Sequence, residues 1–143
     1  MTIAAKVVKD SVGDSSPRLT TLLLRFPHII LPQVLTHRML SRSTQSSRAI
    51  PVSRLIKSVL ADPFFPKEWR YRADSGMQPG ELMSEEDAND AEDEWAGAYS
   101  SALLFAERLD TVGAAKEHIN RLLEPFSHVN MVVTATDWDN FFE

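Results

Sequence analysis

The alternation of apolar and polar residues predicts strands at the start of the chain and helices after them. The segments KVVKDSV (6–12) and RLTTLLLRF (18–26) are rich in β-branched residues and leucine, which predicts two strands, the second of them buried. Pro27 ends the second strand. The next pattern, HIILPQVLTHRML (28–40), predicts a helix with Pro32 near its first turn, where a missing N–H is tolerated.

Three later segments carry apolar residues at helical spacing. The segment 51–60 begins with proline, and its apolar face consists of Val52, Leu55, Ile56 and Val59. Residues 93–109 predict a core-facing helix that ends at Gly113. Its apolar residues are Trp95, Tyr99, Ala102, Leu103 and Ala106. A further helix is predicted over 114–124, before Pro125.

The remaining segments are polar or contain proline and glycine. Residues 41–49 and 61–80 are expected to be loops. The segment HVNMVVTATDWDNFF (128–142) fits a strand or a helix. Residues 81–94 contain eight acids and no base. We interpret them as a solvated helix face and its N-terminal approach, because they lack the spacing of an EF-hand cation site.

Composition excludes several classes of protein. None of the 143 residues is cysteine, which excludes disulfides, thiolate metal sites and a cysteine nucleophile. The four histidines show neither i, i+4 pairing nor an HExxH pattern, so no metal site is expected. No apolar run reaches the roughly 18 residues of a membrane span, and the N-terminus lacks the pattern of a signal peptide. We therefore expect a cytoplasmic protein with a single domain over residues 1–143.

Charge is distributed unevenly between the two halves of the chain. Residues 1–72 contain twelve Lys and Arg against four Asp and Glu, whereas residues 73–143 contain three against sixteen. The basic half suggests an anionic ligand, unless the acidic half simply covers it. The segment LTHRMLSRSTQSSRAIP (35–51) combines three arginines, a histidine and many hydroxyl groups with no acid.

Such a segment has the groups that phosphate requires. Hydroxyl and backbone N–H groups of a tight loop can surround phosphate oxygens, and arginine adds a planar, bidentate partner. The segment therefore predicts a phosphate-binding loop beside an imidazole. A mobile loop or a phosphorylation target also fits this composition.

The segment QVLTHRMLSRSTQSSR (33–48) resembles the signature of the flavin-dependent thymidylate synthases, the ThyX family. That signature is Arg-His-Arg, seven variable residues and Ser. Its fuller form has Gln three residues before the first Arg, Ser three after the second Arg, and Arg two after the final Ser. The residues at matching positions are Gln33, His37, Arg38, Ser41, Ser46 and Arg48.

A second block, NRLLEPFSHVNMVVTATDWDNFF (120–142), resembles a later part of the same family. There the family has Ala-Arg two residues before Leu-Pro, and Arg121 and Pro125 fall on that Arg and Pro. Asn140 and the phenylalanines after it resemble an Asn/His-Phe-Leu segment. The stretches SSRAIPV and TATDWDNFF look like a phage-type branch of the family.

The resemblance implies an α+β, ThyX-like fold in which an antiparallel sheet packs with several helices. It also implies an enzyme that converts dUMP to dTMP by reductive methylation, using FAD, NADPH and methylenetetrahydrofolate. The absence of cysteine agrees, because hydride from reduced flavin replaces activation of the uracil ring by a thiolate. The implied assembly is a homotetramer with sites at subunit interfaces.

The resemblance assigns binding roles residue by residue. The residues that would contact FAD are His37, Arg38, Ser41, Thr44 and Asn140. The residues that would hold the nucleotide, largely through its phosphate, are Gln33, Ser46, Arg48 and Arg121. No catalytic residue is assigned, because no neighbouring base is evident for Ser46 and an unactivated hydroxyl is a weak nucleophile.

The sequence departs from the family pattern in several places. Thr36 stands where the family has its first Arg, and a hydroxyl cannot replace a guanidinium fork. The family's Asn, Glu and Tyr are replaced by Ser43, Thr44 and Ala49. Arg42, which lies beside them, is a candidate to restore one positive charge. The chain ends before an arginine and a final helix that family members have. It is therefore expected to lack the C-terminal part. Three alternatives stay open: a shortened sequence, a split gene whose second chain supplies that part, or a homologue that has lost its function.

Three functions stay open at this point. The first is a dTMP-forming enzyme or a related dUMP hydroxymethylase, and the second is a catalytically silent or split homologue that binds flavin and nucleotide. The third is an unrelated nucleic-acid-binding module, which would need aromatic residues among the basic ones for base stacking. Residues 35–51 contain none. We therefore expect dUMP as the ligand, and neither nucleic acid nor membrane as a partner.

Overall fold

The structure, a computed structural model, describes residues 3–74 and 78–142, without the side chains of Asn140 and Phe142. Its centre is an antiparallel four-stranded sheet in the order β1-β2-β4-β3. The strands are β1 (Ala4–Gly13), β2 (Ser16–Pro27), β3 (Ser41–Thr44) and β4 (His128–Ala135).

Helices lie between and after the strands along the chain, and some of them contribute residues to a core on one face of the sheet. The α-helices are α1 (Leu31–Val34), α2 (Val52–Ala61), α3 (Glu85–Thr111), α4 (Lys116–Leu123) and α5 (Asp139–Phe142). Short 3₁₀ helices span His28–Ile30, Ser47–Ala49 and Glu124–Phe126. Within residues 3–74 and 78–142, no helix is long and apolar enough to cross a membrane.

The sheet has one apolar face and one open face, because successive residues of a strand point to opposite sides. Phe26 and Met131 lie on the apolar face and pack in a core with Leu40, α1 and α5. On the open face, Leu23 is 39% exposed and Val132 is 43% exposed. The prediction of β2 as a buried strand is therefore correct for one face only.

A second core lies between α2, α3 and α4. Val59, Ile119 and Leu123 are almost fully buried in it. The apolar faces predicted for residues 51–60 and 93–109 both point into this core, which confirms those two helices. The helix predicted over 114–124 is also confirmed, as α4.

The acidic run forms the exposed first half of α3. Ser84 caps this helix by accepting a hydrogen bond from the N–H of Asp87 (3.2 Å), and three acids occupy the first turn, where the helix dipole favours negative charge. The helix thus begins earlier than the predicted residue 93. It ends where predicted, before Gly113 at φ 76°.

The helix predicted over 28–40 is wrong for most of its length. Only a 3₁₀ turn and α1 form, with Pro32 in the first turn of α1 as expected. Beyond α1, the carbonyls of Leu35 and His37 accept hydrogen bonds from the Arg42 guanidinium, and that of His37 also accepts one from the Leu40 N–H (3.5 Å). The Arg42 side chain therefore supplies hydrogen-bond donors to carbonyls just beyond the end of the helix.

The loop predicted over 41–49 is also wrong, because its first part is β3. The main chain of β3 pairs with β4, and this tertiary pairing overrides the loop preference of serine. The ambiguous segment 128–142 forms β4 and then α5. The loop predicted over 61–80 is observed up to residue 74 and from residue 78; residues 75–77 lie outside the described part.

Candidate functional site

The cationic segment, residues 33–48, runs from α1 through a turn into β3 and on to the 3₁₀ helix Ser47–Ala49. Arg42 fixes the turn, because Nη2 donates to the carbonyl of Leu35 (2.6 Å) and Nη1 donates to those of His37 (2.5 Å) and Leu40 (3.1 Å). Its guanidinium is therefore occupied by the main chain. Arg42 keeps its charge in these contacts, but three of its donor hydrogens are directed at carbonyls of the turn.

Thr36, which stands in place of the family's first Arg, also turns back to the main chain. Its Oγ1 donates to the carbonyl of Gln33 (2.6 Å). This position therefore offers a ligand neither a positive charge nor a free hydroxyl donor.

The predicted cofactor residues divide between the two faces of the sheet. Ser41 lies opposite Thr134 and is exposed, whereas Thr44 lies opposite Met131 and is half-buried. Because these residues are three apart on one strand, their side chains point to opposite faces. The structure thus does not bring Ser41 and Thr44 together on one side.

His37 and α5 meet on the apolar side of the sheet. The imidazole of His37 contacts the ring of Phe141 edge-on, with 5.3 Å between ring centroids. Asn140 precedes Phe141 on α5, although the Asn140 side chain lies outside the described part. Arg38 follows His37 and is exposed. Three predicted cofactor positions therefore lie near the turn after α1.

Asn120 on α4 fixes the end of the cationic segment. Its side chain is fully buried, and Nδ2 donates to the carbonyls of Ser47 (2.7 Å) and Ile50 (2.8 Å). We call residues 46–50 the phosphate loop, after the phosphate contacts that the sequence predicts for them. Ser46 and Arg48 lie on it, and the Ser46 Oγ accepts a hydrogen bond from the Arg48 N–H (3.3 Å).

Arg121, next to Asn120, faces the other end of the cationic segment. It lines a groove of about 450 Å³ together with Pro32 and Leu35, the neighbours of Gln33 on and beyond α1. Arg121 thus lies beside α1. Its neighbour Asn120 contacts the loop that carries Ser46 and Arg48.

These four side chains are free to meet a ligand. All of them are exposed: Gln33, Ser46, Arg48 and Arg121. Among the described residues, no carboxylate lies within ion-pair distance of Arg48 or Arg121. Two unneutralised guanidinium groups beside hydroxyl and amide groups form a suitable environment for a phosphate.

A second cavity, of about 170 Å³, lies between α2 and the sheet, and none of the nine predicted residues lines it. Arg25 and His128 contribute to its wall. Arg25 forms an ion pair with Asp62 (2.9 Å), and the Nδ1 of His128 is 3.8 Å from that carboxylate. No motif could reveal this group, because its members come from three separate segments of the chain.

His128 is the most perturbed histidine of the site region. Its side chain is 1% exposed, and neither ring nitrogen has a hydrogen-bond partner among the described residues. Burial lowers the pKa of His128, the charge of Arg25 lowers it further, and Asp62 opposes the shift. The lowered pKa favours the neutral form of the imidazole. In the described part of the chain, no three His, Asp or Glu side chains lie close enough to hold a metal ion.

Comparison with known proteins adds information about the fold. No protein-family model matches the sequence, and no curated protein matches it. Among solved structures, the chain is similar to the UMP/dUMP methylase PolB from Streptomyces cacaoi bound with 5-Br UMP. The TM-score is 0.72 and the identity 17%, over 94% of this chain and 72% of that chain.

The same methylase bound with 5-Br dUMP gives a TM-score of 0.63 at 15% identity, over 94% of this chain and 73% of that chain. Similarity at this level of identity establishes the fold. It confirms the expected α+β, ThyX-like arrangement of an antiparallel sheet packed with helices.

Proposed function

We propose that this protein binds dUMP and acts in its reductive methylation to dTMP, with FAD, NADPH and methylenetetrahydrofolate, in the manner of the ThyX family. The observation that carries this proposal is that α4 carries Arg121 and, through Asn120, holds the loop that carries Arg48, in a fold similar to that of a UMP/dUMP methylase. Both residues also match the two sequence blocks that resemble the family. Fold and motif are independent lines of support.

The nucleotide phosphate binds between the phosphate loop and Arg121. Arg48 and Arg121 supply planar donors, and Ser46 adds a hydroxyl group. Gln33, exposed on α1, lies on the side from which the sugar and base approach. The arginines also stabilise negative charge that develops on the nucleotide during reaction.

FAD binds at the turn that carries His37 and Arg38, near α5. When bound, it supplies hydride in place of thiolate chemistry. The protein's residues position the ring and exclude water on the side where His37 contacts Phe141. The exposure of the nucleotide-binding side chains supports a site completed by a neighbouring subunit of a homotetramer, or by a second chain.

Thr36 supports a second candidate function. The hydroxyl of Thr36 is committed to the carbonyl of Gln33, so the charge of the family's first Arg is absent there. A chain with this change is a candidate for a related reaction, such as hydroxymethylation of dUMP, or for binding flavin and nucleotide without turnover.

Two measurements separate these functions. The purified protein with added FAD should show a flavin absorbance band and bind dUMP in a calorimeter. Release of tritium from C5-labelled dUMP, with NADPH and methylenetetrahydrofolate present, should identify turnover, and chromatography of the product distinguishes methyl from hydroxymethyl. Flavin and dUMP binding without tritium release would support the silent homologue. A colourless protein that does not bind dUMP would refute the proposal.

Arg48→Gln provides the test of the phosphate site. We expect dUMP affinity to fall roughly 10- to 100-fold, because charged hydrogen bonds contribute roughly 1.5–3 kcal/mol. Deoxyuridine, which lacks the phosphate, should bind the variant and the parent alike. Arg108→Gln removes an exposed arginine from the far end of α3 and serves as the control with unchanged affinity. Equal affinity of Arg48→Gln and parent for dUMP would remove Arg48 from the site.

A further inference from the structure

We infer that Asn120 is a positioning residue that sets nucleotide affinity by holding the phosphate loop on α4; this rests on the proposed function. The Nδ2 atom of Asn120 donates hydrogen bonds at both ends of the 3₁₀ turn, to the carbonyls of Ser47 and Ile50. Arg48 lies between these two attachment points. The amide therefore fixes the part of the loop that presents the arginine to the phosphate.

The side-chain amide of Asn120 uses its donors but not its acceptor, which suits this role. Nδ2 uses both of its hydrogens, whereas Oδ1 is buried without a partner among the described residues. A buried acceptor without a partner is unfavourable for folding. Asn120 is thus a poor choice for stability alone, and a suitable one for fixing two carbonyls in place.

The position of Asn120 couples the two halves of the phosphate site. The next residue on α4 is Arg121, so one rigid helix carries both a proposed phosphate ligand and the anchor of the loop that carries Arg48. A phosphate must meet both arginines at once. Small displacements of such groups lower binding and rate strongly, which makes the anchor as important as the ligands.

Asn120→Asp should make the attachment of the phosphate loop to α4 depend on pH. The ionised carboxyl has only acceptors and faces two carbonyls, whereas the protonated carboxyl can still donate one hydrogen bond. We expect the dUMP dissociation constant to rise about tenfold or more at pH 8, relative to the parent at the same pH. The difference should shrink at pH 5. Asn89→Asp, the same change on the exposed face of α3, is the control with no such dependence.

Two further measurements complete the test. Asn120→Leu removes the donor without adding a charge and should weaken dUMP binding at every pH, which keeps the inference testable if Asn120→Asp does not fold. Amide hydrogen exchange at Ala49 and Ile50, whose N–H groups bond to the carbonyls of Ser46 and Ser47, should accelerate in both variants.

The outcomes separate this inference from the proposed function. Faster exchange of the loop with unchanged relative dUMP affinity overturns the inference and leaves the proposed function intact. Unchanged exchange overturns it as well, because the loop then does not depend on the amide. Absence of dUMP binding in the parent overturns both.

Discussion

A single guanidinium shapes the turn between α1 and β3. Arg42 binds three carbonyls of this turn, and Leu40, beside it, is only 4% exposed. The carbonyls of Leu35 and Leu40 lose their bonds from Arg42 if the guanidinium is removed, whereas that of His37 keeps its bond from the Leu40 N–H (3.5 Å). His37 and Arg38 project from the same turn, so their placement depends on Arg42.

We expect Arg42→Met to lower the free energy of unfolding by about 2 kcal/mol, because charged hydrogen bonds are replaced by unpaired carbonyls. The matched control is Arg38→Met, an exposed neighbour without such bonds, which should change stability by less than about 0.5 kcal/mol. Urea unfolding of both variants measures the difference. Equal midpoints would mean that the main chain holds the turn without Arg42.

The sequence could predict the ligand-facing residues better than their supports. Arg48 and Arg121 belong to motifs with fixed spacing, so the resemblance could assign them a proposed role. Asn120 stands where the family pattern has alanine, and Arg42 stands at a variable position. Their partners are main-chain carbonyls, which any residue possesses. The sequence therefore carries no signal for these contacts.

At the scale of elements, a helix was predictable where its residues are amphipathic and its ends carry their own signals. The 51–60 segment has proline at its start and a clear apolar face, and α2 follows it closely. Residues 28–49 lack that agreement, since an apolar first half is followed by a serine-rich half without an apolar face. Pairing with β4 and the contacts of Arg42 decide their structure.

The start of α3 has a local sequence signal, the N-cap Ser84, which lies within a strongly acidic segment. Ser84 caps the helix, and its Oγ also donates to the carboxylate of Asp87 (2.7 Å). Tyr71 donates to the same carboxylate, and these bonds lower the pKa of Asp87. The cap therefore ties the 61–80 loop to the helix.

We expect Ser84→Ala to destabilise the protein by about 1 kcal/mol, the usual loss for an N-cap serine. Ser100→Ala makes the same change inside α3, where the hydroxyl bonds to the carbonyl of Ala96 and a helix favours alanine. It should be neutral or slightly stabilising in the same urea titration. If both changes have the same effect, Ser84 does not act as a cap.

At the scale of the whole molecule, His128 lies where the sheet meets the helical layer. The end of α2 contributes Asp62, and the ring of Phe64 contacts the imidazole edge-on, with 6.3 Å between ring centroids. Sequence patterns predict the elements on either side of this junction. They do not predict the junction itself, because its residues are brought together only by the tertiary fold.

The lowered pKa of His128 predicts a loss of stability in mild acid. The unfolded chain takes up a proton near pH 6.5, whereas the folded chain resists it. The contribution of neutral His128 is thus complete above pH 6.5 and declines as pH falls toward the lower pKa of the folded state. The pKa of Asp10 is lowered to about 2, so the contribution of this carboxylate to stability is lost only at a lower pH.

His128→Leu should remove this part of the pH dependence, and His118→Leu, on the exposed side of α4, should retain it. The measurement is the free energy of unfolding in urea between pH 8 and pH 5. An identical slope for parent and His128→Leu would show that the imidazole is protonated as readily in the folded chain as in the unfolded one.

The hairpin that joins β1 to β2 turns at residues 14–15, at the sheet edge opposite β3. Exposed tips of this kind accept inserted peptides well. A biotin-acceptor tag placed there would immobilise the protein on a sensor chip by the edge that is remote from α4. Nucleotide association and dissociation could then be followed in real time, without the attachment chemistry reaching the arginines.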